Sequence, residues 1–212
     1  MKEEFVRAEK VSKQIKKKQV LKNITFTLNR GDVMGIMGIN GSGKTMLLRA
    51  IAGLIKTSGE IRIGDVVLGK GNFAKDIGIL IEHPAFLNDF TGKENLELLG
   101  LIQGDLREEE IDEALRSVGL DTEDRRPFKK YSLGMKERLG IAQAILGKPE
   151  LILLDEPTNG IDPEGVEQLK GLVASLKRNG CTMIIASHDK VFLEEVSDCI
   201  YEMKKGELVC LS

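Results

Sequence analysis

Apolar and polar positions along this chain switch between a period of two and a period of about 3.6, with a few short runs that are apolar throughout. Glu4 to Lys10 alternates weakly and Leu21 to Leu28 clearly, with Ile24, Phe26 and Leu28 on one face. Two antiparallel strands joined across Lys16-Lys17-Lys18 are predicted. Asp32 to Met37 reads as a buried strand, and Met46 to Leu54 as a helix with Leu47, Leu48, Ile51 and Leu54 at helical spacing. Ser58 to Leu68 predicts a hairpin and Asp76 to Ile81 a further apolar strand. The texture then changes. Thr91-Gly92-Lys93-Glu94 is a capping box, followed by Leu96, Leu98, Leu99, Leu101 and Ile102 on a helix. A second helix is predicted over Glu108 to Val118, closed by Gly119, and a third from Ser132 to about Leu146, stopped by Pro149.

Leu151-Ile152-Leu153-Leu154 is apolar at every position, as expected of a strand covered on both faces of a parallel sheet. Pro163 to Lys177 predicts an amphipathic helix and Thr182 to Ala186 another buried strand, running out into Ser187-His188-Asp189. Cys199 to Met203 and Glu207 to Leu211 predict a last hairpin around Lys205-Gly206. Alternating strands and helices give an α/β fold class, with an antiparallel β portion at the N-terminus and a helical insertion. The expected division is a single domain over 1–212, with a core lobe formed by 1–82 and 148–212 and a helical lobe over 83–147.

The chemistry concentrates after the first buried strand. Gly38-Ile39-Asn40-Gly41-Ser42-Gly43-Lys44-Thr45 satisfies the G-x-x-x-x-G-K-[ST] phosphate-loop pattern, between a strand and a helix as the motif requires. Its glycines let backbone N–H groups turn inward around phosphates, and the helix start adds its positive dipole end. Lys44 should reach the β- and γ-phosphates, Thr45 should take a place on Mg²⁺, and Met46 continues the nucleotide-binding stretch. The expected ligand is ATP or GTP with Mg²⁺. In a parallel sheet, polar groups at carboxyl strand ends face the ligand crevice. Asp155, following the apolar run, suits the second carboxylate on the metal, and Glu156 suits the base that polarises the attacking water. His188, at another strand end, can donate to the γ-phosphate or orient that water.

Composition adds limits rather than a partner. The 212 residues carry 31 Lys and Arg against 33 Asp and Glu, a net charge of −2, which gives no broad electrostatic case for nucleic acid or an anionic membrane. Cys181, Cys199 and Cys210 form no C-x-x-C; they are expected as buried thiols of a chain in a reducing cytosol. No apolar run approaches the length of a membrane span, and Met1 to Glu4 lacks the apolar region of a signal peptide. The chain is expected to be soluble by itself, so that work at a membrane needs another chain to supply the spans.

With these residues in place, essentially the whole chain resembles the nucleotide-binding subunit of an ABC transporter. The phosphate loop matches that family's Walker A, Leu151 to Glu156 its Walker B, Asn159-Gly160-Ile161-Asp162 its D-loop, and His188 its switch histidine. Tyr131-Ser132-Leu133-Gly134-Met135-Lys136-Glu137-Arg138 resembles the signature motif, with Ser132 and Gly134 retained. The resemblance implies an ABC-type P-loop NTPase with a RecA-like core sheet. It also implies a head-to-tail dimer in which Ser132, Gly134 and Asp162 contact nucleotide bound on the other subunit. The partners implied are a second copy or a similar ATPase subunit and a separate transmembrane permease, with no nucleic acid. The location implied is cytoplasmic, peripheral on the inner face of the cell membrane.

Four positions depart from the family pattern. Glu82 stands where the lobe-joining loop usually has Gln, and its carboxylate is a candidate Mg²⁺ ligand. Leu133 replaces the usual Gly and Met135 the usual Gln of the signature. Ile15 aligns near the aromatic that usually stacks on adenine, so the base would be covered without the stacking contribution. Glu82, Pro84-Ala85-Phe86 and the Tyr131 to Lys136 segment are similar to the bacitracin-resistance and lantibiotic-immunity branch, which implies export of a peptide antibiotic, a drug or a similar substrate. In that branch His83 to about Phe90 would meet the membrane partner. Two other readings stay open: a soluble ABC-type ATPase acting on ribosomes or DNA, and a nucleotide-gated binding subunit that barely hydrolyses.

Overall fold

The computed structural model describes residues 3–69, 71–82, 84–104 and 106–211. The expectations attached to Met1, Lys2 and His83 lie outside the described residues. A long hairpin of β1 (Glu4–Ile15) and β2 (Lys18–Asn29) opens the chain, and β3 (Val33–Met37) leads through the phosphate loop into α1 (Lys44–Ile51). A short hairpin, β4 (Ser58–Ile63) and β5 (Val66–Val67), precedes β6 (Ile77–Leu80). The helices α2 (Gly92–Gln103), α3 (Glu108–Ser117) and α4 (Leu133–Ile145) follow, with a 3-10 turn at Phe128–Lys130. The chain then runs through β7 (Leu151–Asp155), α5 (Pro163–Arg178), β8 (Thr182–Ser187), α6 (Lys190–Val196) and the hairpin β9 (Cys199–Lys204) to β10 (Glu207–Cys210).

Two sheets result. The antiparallel one has the order β2-β1-β4-β5; the other has the order β10-β9-β3-β8-β7-β6 and is parallel except at its β10 edge. The continuous apolar runs are explained by their period of two. Leu151 and Leu153 of β7 join Met34, Ile36, Ile184 and Ala186 in a core shared with α1 and the antiparallel sheet. Ile152 and Leu154 turn the other way, into a core with Met183, Ile185 and residues of α4 and α5. Both faces of the parallel sheet are therefore dry, and each fully buried aliphatic side chain contributes about 1.5–3 kcal/mol of burial. The polar strand ends have only the carboxyl edge of the sheet to open onto.

Several elements differ from the sequence expectation. β1 runs on to Ile15 rather than ending at Lys10, because an irregularity at Lys10, whose φ is +51°, restores pairing with β2. α6 has no counterpart in the sequence reading; Asp189 caps it by accepting the Phe192 N–H at 3.0 Å, and Phe192, Leu193 and Val196 are buried. The thiols are not uniformly buried: Cys181 is, whereas Cys199 is intermediate and Cys210 exposed on the edge strand. Burial pushes the Cys181 thiol up to about 12, so it stays protonated. The capping box at Thr91 and Glu94 is formed, the Glu94 N–H donating to Thr91 Oγ1 at 3.1 Å and the Thr91 N–H to Glu94 Oε2 at 2.7 Å. Among the described residues no helix is long and apolar enough to cross a membrane.

Candidate functional site

β3 ends against α1 with the glycine-rich loop between them, and the local packing explains the glycine next to Lys44. Gly43 has a φ of +122°, and a Cβ there would lie 3.0 Å from the Val20 carbonyl oxygen of β2. Any other residue would be both strained and crowded. The Lys205-Gly206 turn between β9 and β10 holds the loop from outside. Gly206 N–H donates to Ser42 O at 2.9 Å, and Lys22 N–H donates to Gly206 O at 2.7 Å. A groove of about 460 Å³ lies here, walled by the start of β2 at Lys18 to Val20, by Asn40 to Met46, and by Glu156 and the Lys205-Gly206 turn.

Lys44, first in α1 and only 5% exposed, points its ammonium back into the loop. It donates to the carbonyls of Gly38 at 2.6 Å and Ile39 at 3.4 Å, and lies 3.0 Å from Glu156 Oε1. The next residue, Thr45, donates its hydroxyl to Asp155 Oδ2 at 2.6 Å across the gap to β7. The buried Asp155 Oδ1 has no hydrogen-bond partner among the described residues, nor has the buried Ser42 Oγ inside the loop. Orphaned buried polar atoms cost free energy unless something fills the site. Burial pushes the Asp155 carboxyl up; the Thr45 hydrogen bond opposes this, and the like charge of Glu156 adds to it.

Glu156 follows in a left-handed conformation, φ +51°, which turns its side chain off the strand direction. Its Oε2 accepts from the His188 backbone N–H at 3.1 Å and the Ser187 hydroxyl at 3.3 Å, and meets His188 Nδ1 at 2.7 Å. Burial alone would push this carboxyl up, but the bonds from Lys44 and His188 outweigh it and hold it below the usual carboxylate range. β7 and β8 thus bring Asp155, Glu156 and His188 to one edge, beside Lys44 and Thr45.

The residues suit a divalent cation in one manner. Among the described residues no group of three or more His, Cys, Asp or Glu is placed to hold a metal ion. The Thr45 hydroxyl and the unpartnered Asp155 oxygen nonetheless fit Mg²⁺ that takes its remaining ligands from phosphate and water.

Five other sequence candidates do not wall this groove. Glu82, two residues past β6 with φ +62°, has its carboxylate Oε2 2.7 Å from the Arg49 guanidinium of α1. Ile15, 41% exposed at the end of β1, is not one of the residues walling the groove. Ser132 caps α4, its hydroxyl accepting the Met135 N–H at 3.2 Å. Gly134 lies against the loop before α5, where a Cβ would be 2.8 Å from Gly160 O, and Asp162 accepts from Arg138 of α4 at 2.6 Å. Ser132, Gly134 and Asp162 form a second cluster on α4 and α5 that does not line the phosphate-loop groove. Sequence reasoning missed Lys18 to Val20, Lys205, Arg49 and Arg138. Arg49 alone carried a local signal, one helical turn beyond Thr45.

Residues 21–159 match the family described as ABC transporter. The uncharacterized ABC transporter ATP-binding protein YybJ of Bacillus subtilis (strain 168) is 42% identical over 93% of this chain and 92% of its own length. The bacitracin transport ATP-binding protein BcrA of Enterococcus faecalis is 36% identical over 98% of this chain and 68% of its own. Among solved structures, the dimeric post-hydrolysis state of the ATP-binding cassette MJ0796, bound to ADP and Pi, superimposes with a TM-score of 0.86 at 25% identity, covering 96% of both chains.

Proposed function

The chain belongs to the ABC transporter family, and from that premise we propose that it is the ATP-hydrolysing subunit that drives export of a peptide antibiotic, drug or similar substrate through a separate membrane permease. The single observation that carries the reading is the chain of contacts from Lys44 to Glu156 to His188, laid beside the Thr45–Asp155 pair, with Lys44, Thr45 and Glu156 on the wall of the phosphate-loop groove. ATP would lie with its phosphates in the loop 38–45 and its base toward Lys18 to Val20. Thr45 and Asp155 would hold Mg²⁺, which supplies charge neutralisation on the phosphate oxygens.

Lys44 has two duties in sequence. Its contact with Glu156 helps hold that carboxylate below the usual range, and β- and γ-phosphate oxygens would compete for the same ammonium. Drawing Lys44 away removes a contact that lowers the Glu156 proton affinity, so the carboxylate becomes a better base once substrate is present. His188, bonded through Nδ1, keeps the carboxylate aimed and leaves Nε2 to orient the attacking water. Ser132 and Gly134 of one copy would close over the nucleotide of another, with Asp162 alongside. The subunit would then work on the cytoplasmic face of the membrane, docked on its permease.

The test is ATP-dependent dimerisation of purified Glu156→Gln, followed by light scattering with Mg²⁺. A dimer that forms only with ATP supports the sandwich. A chain that binds ATP and stays monomeric, with its permease supplied, overturns it.

A further inference from the structure

One face of α1 is used twice. Thr45 and Arg49 are one turn apart and project on the same side, toward the ends of two neighbouring parallel strands. Thr45 binds Asp155 just past Leu154 of β7, and Arg49 binds Glu82 two residues past Leu80 of β6; Leu80 and Leu154 are register partners. The helix therefore pairs each strand-end carboxylate with its own group: a hydroxyl for the one whose second oxygen is left open, a guanidinium for the other. The left-handed φ of Glu82, +62°, is a conformation that costs energy in a residue with a side chain, and the Arg49 bond at 2.7 Å is the contact that stands against this cost.

We propose that Arg49 is a positioning residue for nucleotide binding: it neutralises Glu82 and keeps that carboxylate off the triphosphate and its cation. This rests on the nucleotide reading of the groove. Asp155 and Glu156 already place two carboxylates beside the phosphates, the one bonded by the Thr45 hydroxyl at 2.6 Å and the other 3.0 Å from the Lys44 ammonium. A third unpaired carboxylate at the same edge would repel a polyphosphate, and the repulsion is strongest where no cation screens it. With Arg49 in place, the pair presents no net charge to the ligand. The pair is partly exposed, so it is a device for charge placement rather than a source of fold stability.

The test is binding of a fluorescent ATP analogue to purified variants, with Mg²⁺ and in chelator, alongside circular dichroism of each. Arg49→Ala should weaken binding about tenfold in chelator and less with Mg²⁺, as a single uncompensated charge near the phosphates would. Adding Glu82→Gln to Arg49→Ala should restore the affinity, and Arg49→Lys should keep most of it. Arg49→Met, which retains the aliphatic stem, serves in place of Arg49→Ala if the latter does not fold. Unchanged binding in the unpaired variant, or a loss that Glu82→Gln does not reverse, overturns the proposal and leaves Arg49 as packing on α1. Failure of the parental chain to bind the analogue would instead overturn the nucleotide reading itself.

Discussion

The phosphate-loop groove and the cluster at the start of α4 are built on opposite plans. At the groove, the buried Asp155 Oδ1 and Ser42 Oγ have no hydrogen-bond partner among the described residues, and Lys44 is shared between carbonyls and a carboxylate. At α4 the polar groups are already engaged within the chain. The Ser132 hydroxyl caps its own helix, and Asp162 is held by Arg138. Yet this satisfied region is the more exposed one, with Leu133 58% accessible beside Ser132. A region with open valences can take up a small ligand by itself. A region that is complete and exposed contributes only when a second surface is laid on it. On the proposed reading these are the two halves of one catalytic site, supplied by different copies.

The contrast can be broken by asking which step each half controls. Glu156→Gln should have the largest effect: phosphate release falls about 100-fold or more while ATP remains bound, because only the proton acceptor is lost. Lys44→Ala should weaken ATP binding about 30-fold, measured by equilibrium dialysis, because charge-assisted hydrogen bonds to phosphate are lost. Ser132→Arg should change ATP affinity of the monomer less than about twofold while abolishing the ATP-dependent dimer in light scattering. If Ser132→Arg weakens binding by the monomer as Lys44→Ala does, the two regions are not the separate halves described above.

How much of this was legible depended on the range over which each signal acts. The phosphate loop, the fully apolar β7 and β8 and the caps at Thr91 and Ser132 are local patterns, and the structure places elements where those patterns fall. Asp155, Glu156 and His188 are legible because strand ends in a parallel sheet converge, and β7 and β8 pair in register. α6 carries little sequence signal because its seven residues show only two turns of period and begin directly after the Ser187-His188-Asp189 run-out of a strand. The pairs Arg49–Glu82 and Arg138–Asp162 join segments distant in sequence, so no spacing rule exposes them. The same holds for the groove wall from Lys18 to Val20 and Lys205: the first reads as a basic turn and the second as a hairpin tip until the sheets are assembled. Ile15, nominated by alignment to a stacking aromatic, is placed by its strand off that wall.

The clasp of the Lys205-Gly206 turn on the phosphate loop has a consequence for how the molecule is made. Residues 38–45 are translated early, but the bond from Gly206 to Ser42 and the one from Lys22 to Gly206 need the β9–β10 turn in place. During synthesis the loop emerges from the ribosome long before its outer support does. A nascent chain can thus acquire the sequence of a nucleotide grip without its geometry. On the proposed reading, ATP capture then requires that the β9–β10 turn has been made and seated on the loop.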